Sequence, residues 1–521
     1  MNTNAEFKNG LWMQFKQRLL LQAGALLLCL AAASSPAQTY AILHSFGTNV
    51  MGLNPQAPLV QGPDGTLYGT TVGGGSANQG QVFKVNPDGS GYTVLKDFTG
   101  SDGANPYANL TLSGSTLYGT TVGGGSFANG TVFAVNTDGT GFTTLYSFTG
   151  GSDGANPYAN LTLSGSTLYG TTANGGMRYG TVFAVNTDGT GFTNLYNFTG
   201  GSDGANPYAG LVLSGSTLYG TTYQGGISGG TVFSVNTDGS GFTVLKDFTG
   251  NDGVYPAAGL VLSGTTLYGT TLGGGSSWNG TVFSVNTDGT GFTNLYNFTG
   301  GSDGANPYAG LVLSGTTLYG TTEYGGNYGN GTVFSVNTDG TGFAVLKEFS
   351  GSDGANPVAA LVLSGTTLYG TTEYGGNDGF GTVFSVGSDG SSYTVLTNFV
   401  GGDGANPYAS LTLSGSTLYG TTGYGGSSGN GTVFSVNTDD TGYAVLYNFT
   451  ESAYGTNADG ANPAAGLVLS GTTLYGTAVS AGNYGYGTVF AVNTDGTGFT
   501  NLYSLRQLIL TQEPTAMEPI Q

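Results

Sequence analysis

The tetrapeptide Leu-Tyr-Gly-Thr occurs nine times in this chain, from Leu67 to Thr70 through Leu474 to Thr477, at a spacing close to 50 residues. All copies but the last, which ends in Ala478, are followed by a second Thr. A self-similar unit of this length is one supersecondary module that cannot bury its apolar faces alone, so neighbouring copies must stack to make a core. The 521 residues therefore read as one array and not as a string of ordinary domains.

Residues 207–248 represent the unit. Ala209-Gly210-Leu211-Val212-Leu213 is a short apolar strand stopped by Ser214-Gly215, and Thr217 to Thr222 forms the next. A Gly-rich loop, residues 224–230, leads to Thr231-Val232-Phe233-Ser234-Val235. Asn236-Thr237-Asp238-Gly239-Ser240-Gly241 then supplies the positive-φ residue of a tight hairpin before the fourth strand, residues 242–248. Phe233 and Val235 point one way and Val232 the other, so the sheet is covered on both faces. With 99 Gly, 33 Tyr and 28 Phe but only 7% charged residues, the composition is too turn-rich for a helical bundle and too aromatic for a disordered chain.

Four hairpin-linked strands per unit predict an all-β fold, a β-propeller of nine four-stranded blades, with an open or split array as the alternative. The fourth-strand motif has a tenth copy, residues 40–46, and the last copy is residues 499–505. Either end can complete the final blade, so closure of the ring is the open question.

Residues 1–37 read as a secretory signal: Lys8, Lys16 and Arg18, an apolar run over residues 19–33, then Ser35-Pro36-Ala37. The repeat array spans residues 38–505, and residues 506–521 read as a disordered tail. Cys29 is the single cysteine and lies in the leader, so a mature exported chain must hold together without disulfides. The net charge is −20, and removing Lys8, Lys16, Arg18 and Glu6 takes it to −22. Nucleic acid and anionic membrane surfaces are therefore disfavoured partners, and no membrane span is expected in the mature chain, which reads as a monomer. Six cationic side chains are left, Lys84, Lys96, Arg178, Lys246, Lys347 and Arg506, scattered over the repeats with at most one in each except the first.

The combination of Leu318-Tyr319-Gly320-Thr321-Thr322, Gly331-Thr332-Val333-Phe334-Ser335-Val336-Asn337 and Asp303-Gly304-Ala305-Asn306-Pro307-Tyr308-Ala309 resembles the Gloeo/Verruco (GloVer) tandem-repeat family of bacterial exported proteins. The resemblance covers residues 40–505. It implies export and, in many members, a C-terminal surface-sorting segment; it brings no assigned reaction and no catalytic residues. Glu513-Pro514 and Glu518-Pro519 stand where such a segment is expected, yet neither a hydrophobic span nor a basic terminus follows them. Surface anchoring and release both stay open.

His44 is the only histidine, so Ser-His-Asp and Cys-His nucleophiles and His/Cys zinc sites are excluded from the repeats. Of 22 Asp, nine (including Asp88 and Asp238) occupy the hairpin between strands three and four, and eight, such as Asp203, occupy the connection into the next blade. Their first reading is turn formation, with no cofactor and at most weak calcium binding. Glu323 and Glu373 stand at equivalent places in consecutive repeats, and a duplicated carboxylate is a poor acid and base pair because the two roles need different surroundings.

The loop after Leu-Tyr-Gly-Thr-Thr varies most between copies. It carries Phe127, Tyr179, Trp278, Tyr324 with Tyr328, Tyr374 with Phe380, Tyr424, and Tyr484 with Tyr486. In a propeller this loop shares a face with the inter-blade connections, which carry Tyr107, Tyr158, Tyr208, Tyr308 and Tyr408. Aromatic, Asn and Asp side chains on one rim suit a glycan or a protein partner. Tyr179, Trp278, Tyr324, Tyr328, Tyr374, Phe380 and Tyr424 are the candidate binding residues; none is assigned to catalysis or to a metal. The expected function is an exported, non-enzymatic binding or surface-display module. The alternatives are a secreted polysaccharide-acting hydrolase or lyase, or a purely structural extracellular protein.

Overall fold

The fixed glycine of Leu-Tyr-Gly-Thr is set by packing. In the computed structural model, which describes residues 52–505 except 88–89, 228, 451–457, 484 and 486, a Cβ on Gly220 would stand 2.6 Å from Phe233 Cζ and 2.9 Å from Leu211 Cδ2. The same Phe approach, 2.5 to 2.6 Å, recurs at Gly69, Gly119, Gly170, Gly269, Gly320, Gly370, Gly420 and Gly476. Each strand-three Phe thus lies across the glycine of strand two, where any side chain would collide with it.

The described residues form nine four-stranded antiparallel sheets, each with its strands in chain order and arranged in a ring as a nine-bladed β-propeller, and one two-stranded ribbon, Gly52–Leu53 with Gly73–Gly74, in the loop of the first blade. Blades 1 to 9 span residues 60–97, 111–147, 162–197, 212–247, 261–297, 312–348, 362–398, 412–448 and 468–504. In blade 4 the strands are Val212–Ser214, Thr217–Thr222, Thr231–Asn236 and Thr243–Asp247. The first strand begins at Val212, later than the apolar run suggests; Leu211 instead packs against blade 3, whose Thr162 hydroxyl donates to its carbonyl at 3.0 Å. Strands three and four slip register between Val232 and Phe233, a bulge that leaves Leu245 unpaired. Leu245 joins the interface core with Tyr219, Val232 and Phe248, packed on Leu260, Leu267, Phe283 and Val285 of blade 5. Phe233 and Val235 meet the opposite neighbour, blade 3, so both faces of the sheet are covered as the alternation predicts.

The second Thr of the motif is a fastener. Thr222 Oγ1 lies 2.9 Å from Thr231 Oγ1 and accepts the Thr231 amide at 2.9 Å, while Thr231 Oγ1 donates to the Asp203 carbonyl at 3.2 Å. One buried hydroxyl pair thereby joins the end of strand two, the start of strand three and the connection from the previous blade.

The ring closes by side-chain packing. Leu59, Leu67, Phe83, Val85 and Tyr92 of the first repeat form one core with Tyr475, Val489, Ala491, Leu502, Tyr503 and Leu505 of the last. Tyr92 stacks on Tyr503 with centroids 3.4 Å apart, and Tyr475 Oη donates to the Pro87 carbonyl at 2.9 Å. Closure rules out the open or split array. The C-terminal copy, Thr500–Ser504, is the fourth strand of blade 9, so that blade is built from one continuous segment. The N-terminal copy, the leader with Cys29, His44 and the tail lie outside the described residues.

Candidate functional site: the loop face

Each connection crosses from one blade to the next beside the loop between strands two and three. Ala205 and Gln224 exchange backbone bonds at 2.6 and 3.0 Å, and Gly226 N donates to the Gly201 carbonyl at 2.6 Å. The two loop sets therefore lie on one face.

The Asn of Asp-Gly-Ala-Asn-Pro, counted in the sequence among the rim side chains that suit a partner, clamps that face. Asn105, Asn156, Asn206, Asn306, Asn356, Asn406 and Asn462 hold φ between 55° and 58°, which Asn tolerates better than other non-glycine residues. Each donates its Nδ2 to a carbonyl of the preceding blade, namely Val72, Val122, Ala173, Leu272, Glu323, Glu373 and Gly423, at 2.7 to 3.1 Å. Tyr255 stands in the same place with φ 61°, and its ring stacks on Tyr223 at 5.1 Å.

The connection Asp residues are more than turn formers. Where six residues separate the pair, Lys96, Lys246 and Lys347 form ion pairs with Asp102, Asp252 and Asp353, and each ammonium lies 4.1 Å from an aromatic ring of the next blade, Phe142, Phe292 and Tyr393. Where the separation is seven, Tyr146, Tyr196 and Tyr296 donate to Asp153, Asp203 and Asp303 at 2.9 to 3.0 Å, and each phenol ring stacks 3.3 Å from Phe192, Phe242 or Phe343. The three lysines are thus not scattered: Lys and Tyr fill one inter-blade slot, selected with the loop length. Burial, then the Asp hydrogen bond, push the phenols of Tyr146, Tyr196 and Tyr296 well above their usual range. Asp203 already accepts the Thr199 amide and hydroxyl as well as Tyr196, so its oxygens are engaged by protein donors.

The tyrosines of the connections and of the loops after strand two face solvent around the mouth of the ring. Tyr107, Tyr158 and Tyr208, on successive connections, have centroids 6.2 and 6.0 Å apart, and Tyr223 follows at 5.9 Å. Equivalent points with that spacing on a nine-fold ring lie about 9 Å from its axis, beside the central channel of a propeller. Tyr107, Tyr158, Tyr208, Tyr255, Tyr308, Tyr324, Tyr374 and Tyr424 keep 39% to 54% of their surface exposed.

The seven predicted binding residues are all exposed, and they divide in two. Tyr324, Tyr374 and Tyr424 take equivalent places just after strand two, pairing with Ala305, Ala355 and Ala405. Tyr424 packs edge-on against Tyr408 at 6.3 Å, and the Tyr408 ring covers Gly423, where a Cβ would stand 2.3 Å from it. Tyr179, Trp278, Tyr328 and Phe380 sit nearer the loop tips of four different blades. Tyr179, Trp278 and Phe380 lie over Gly200, Gly250 and Gly401 of the connections, and Trp278 does so with a φ of 66°, strained for a bulky residue. Tyr484 and Tyr486 lie outside the described residues. Tyr223 and Tyr255 also join the tyrosine arc; the sequence signal is a Tyr in place of the clamp Asn at Tyr255 and in place of Val or Ala just after strand two at Tyr223.

Nine consecutive blades closed by packing, with an aromatic loop face, define a repeat-built β-propeller. The chain belongs to the Gloeobacter/Verrucomicrobia repeat family, whose model matches residues 32–229, 151–327, 227–361 and 301–458. No curated protein matches the chain. Among solved structures it is similar to a GH74 enzyme from Niastella koreensis, at 13% identity over 87% of this chain and 79% of that one, with a TM-score of 0.35. A puromycin-hydrolysing peptidase from Mycobacterium tuberculosis matches at 13% identity over 72% and 59%, TM-score 0.37, and a nidogen/laminin complex at 13% over 57% and 92%, TM-score 0.31. At such identities and TM-scores the activities named for those proteins say nothing of this chain.

Proposed function

We propose that this protein is an exported, non-enzymatic binding module that holds a glycan or a protein partner on its loop face. The observation that carries the reading is the arc of half-exposed tyrosines around the ring mouth, because rings pinned by a rigid backbone offer contact area at little entropic cost. The basic and apolar leader read from residues 1–37 supports export, to the cell surface or to the medium. Glu323 and Glu373 occupy equivalent positions with equivalent backbone clamps, each beside a Tyr, which argues against an acid and base pair and for recognition. No cofactor is required by this reading.

Glycan-array and pull-down measurements on the mature protein test it, comparing wild type with a variant whose Trp278 and Tyr324 loops are replaced by Gly-Ser. Ligand capture that the variant loses is expected. Capture that is unaltered by both replacements would reject this face.

A further inference from the structure

The arc is not uniform around the ring. At the residue after Leu-Tyr-Gly-Thr-Thr, blades 1 to 9 carry Val72, Val122, Ala173, Tyr223, Leu272, Glu323, Glu373, Gly423 and Val479. The next position is Tyr only in blades 6, 7 and 8, at Tyr324, Tyr374 and Tyr424. Two Glu-Tyr pairs and a third Tyr are thus set side by side on consecutive blades.

The backbone at these places is held firmly. The Glu323 and Glu373 carbonyls accept the clamp bonds of Asn356 and Asn406, and the amides of Tyr324 and Tyr374 donate to Ala305 and Ala355 at 3.1 and 3.0 Å. The side chains feel one another. The Tyr324 phenol is raised by Glu323, with Glu373 and Tyr374 adding to it; that of Tyr374 is raised by Glu373, with Tyr424 contributing. Tyr408, raised first by burial, also feels Tyr424, Glu373 and Tyr374. The Tyr324 and Tyr374 phenols resist ionisation first because each hydrogen-bonds its neighbouring glutamate, and then because negative charge stands nearby.

Among the described residues no cation is seen to answer that charge. Lys96, Lys246 and Lys347 are committed to inter-blade ion pairs and Lys84 donates to the Thr137 carbonyl. Arg178, exposed, stands on the loop of blade 3, four blades from blade 7. Within the sector Glu323, Tyr324, Glu373, Tyr374, Tyr408 and Tyr424 present carboxylates, phenol hydroxyls and ring faces, beside Val358 and the exposed Val400 of the connections.

We propose that blades 6 to 8 of the loop face bind a cationic glycan, one carrying free amino sugars. Its ammonium groups pair with the Glu323 and Glu373 carboxylates, and its sugar rings lie against Tyr324, Tyr374 and Tyr424. Charge complementarity selects the cation, and the aromatic faces add attraction for it. The recurrence of Glu-Tyr on adjacent blades matches a ligand that itself repeats, as a polysaccharide does and an ordinary peptide segment does not. This deepens the loop-face reading and rests on it.

The test is calorimetric titration of the mature protein with a glucosamine tetramer, its fully N-acetylated counterpart and Nα-acetyl-lysine amide. The glucosamine tetramer is expected to bind at least tenfold more tightly than either of the others. Glu323→Gln with Glu373→Gln is expected to weaken it by about tenfold or more, and Tyr374→Leu by a severalfold factor, while Arg178→Gln leaves it unchanged. Circular dichroism melting confirms that each variant folds. Equal affinity for the free and acetylated tetramers, or wild-type affinity in the double Glu variant, overturns the proposal. Lysine amide binding as tightly as the tetramer overturns it too and points to a basic peptide. If acetylated glycans or a protein are captured on this face while the free amino sugar is not, the inference fails and the loop-face reading stands; if nothing is captured, both fail.

Discussion

Replacing one clamp asparagine separates two forces that act at the same atom. Asn206→Ala removes the Nδ2 donor that lies 2.8 Å from the Ala173 carbonyl, in a residue with no exposed surface. Leaving that buried acceptor unmet costs about 1–3 kcal/mol. The substitution also puts an ordinary L-residue at a φ of 57°, which costs about 1–2 kcal/mol more. Asn206→Gly loses the same bond but not the backbone preference, so it is expected to cost about 1–3 kcal/mol, less than the roughly 2–5 kcal/mol of the alanine variant. Because a ring of repeats need not unfold in one step, the assay is native-state hydrogen exchange at the Tyr223 amide, which donates to the Asn206 carbonyl, alongside urea unfolding. Tyr255 provides the reverse experiment: Tyr255→Asn is expected to slow exchange at Leu272, whose amide donates to the Tyr255 carbonyl. Alanine and glycine variants that lose equal stability would refute the strain component. Losses below a few tenths of a kcal/mol in both would refute the clamp.

Three further outcomes are expected. Gly220→Ala drives a methyl into the Phe233 ring and should cost about 1–3 kcal/mol as overpacking, with Phe233→Leu recovering part of it; a neutral melting curve for the single variant would contradict the packing account. Lys347→Met should cost about 1–2 kcal/mol by leaving Asp353 unpaired, and the double variant with Asp353→Asn should recover part of the loss in a mutant cycle, whereas strict additivity would show that the pair is not coupled. Hydrogen bonds from the following Thr or Ser hydroxyl and amide lower the hairpin carboxyls Asp138, Asp188, Asp238, Asp288, Asp339, Asp389, Asp439 and Asp495, and at Asp102 burial is outweighed by Lys96 and the Thr99 amide. A carboxyl lowered in the folded state stabilises fully above its unfolded value near 3.9 and loses that contribution as pH falls below it; Asp247, raised by burial, acts with the opposite sign. The melting temperature should therefore hold between about pH 5 and 8 and drop below about pH 4, and a rise on acidification would contradict the assignment.

How far the chain could be read depended on the range of the contacts involved. Strand number, hairpin turns and the two-sided burial of Val232 and Phe233 follow from alternation within a few residues, where the period of a strand leaves little choice. The loop face was legible for the same reason: its two loops are linked through one blade. The pairing of slot residues was partly visible, since Lys goes with a six-residue spacing to Asp and most Tyr with seven, but only the inter-blade contact explains the exchange. Tyr447 reaches Asp459 across twelve residues and still stacks on Phe499, which shows that the slot, and not the loop, sets the geometry.

By itself, then, the repeated Leu-Tyr-Gly-Thr determined the blade, because strand alternation and turn chemistry are local. Tertiary structure alone decided that nine blades close, through Tyr92 on Tyr503 and Tyr475 on Pro87, residues nearly the whole chain apart. It also decided which tyrosines meet. Whether two residues fifty positions apart touch depends on the angle at which whole blades stack, and that angle is the summed outcome of bulges, glycine-limited Phe packing and clamp asparagines at every interface.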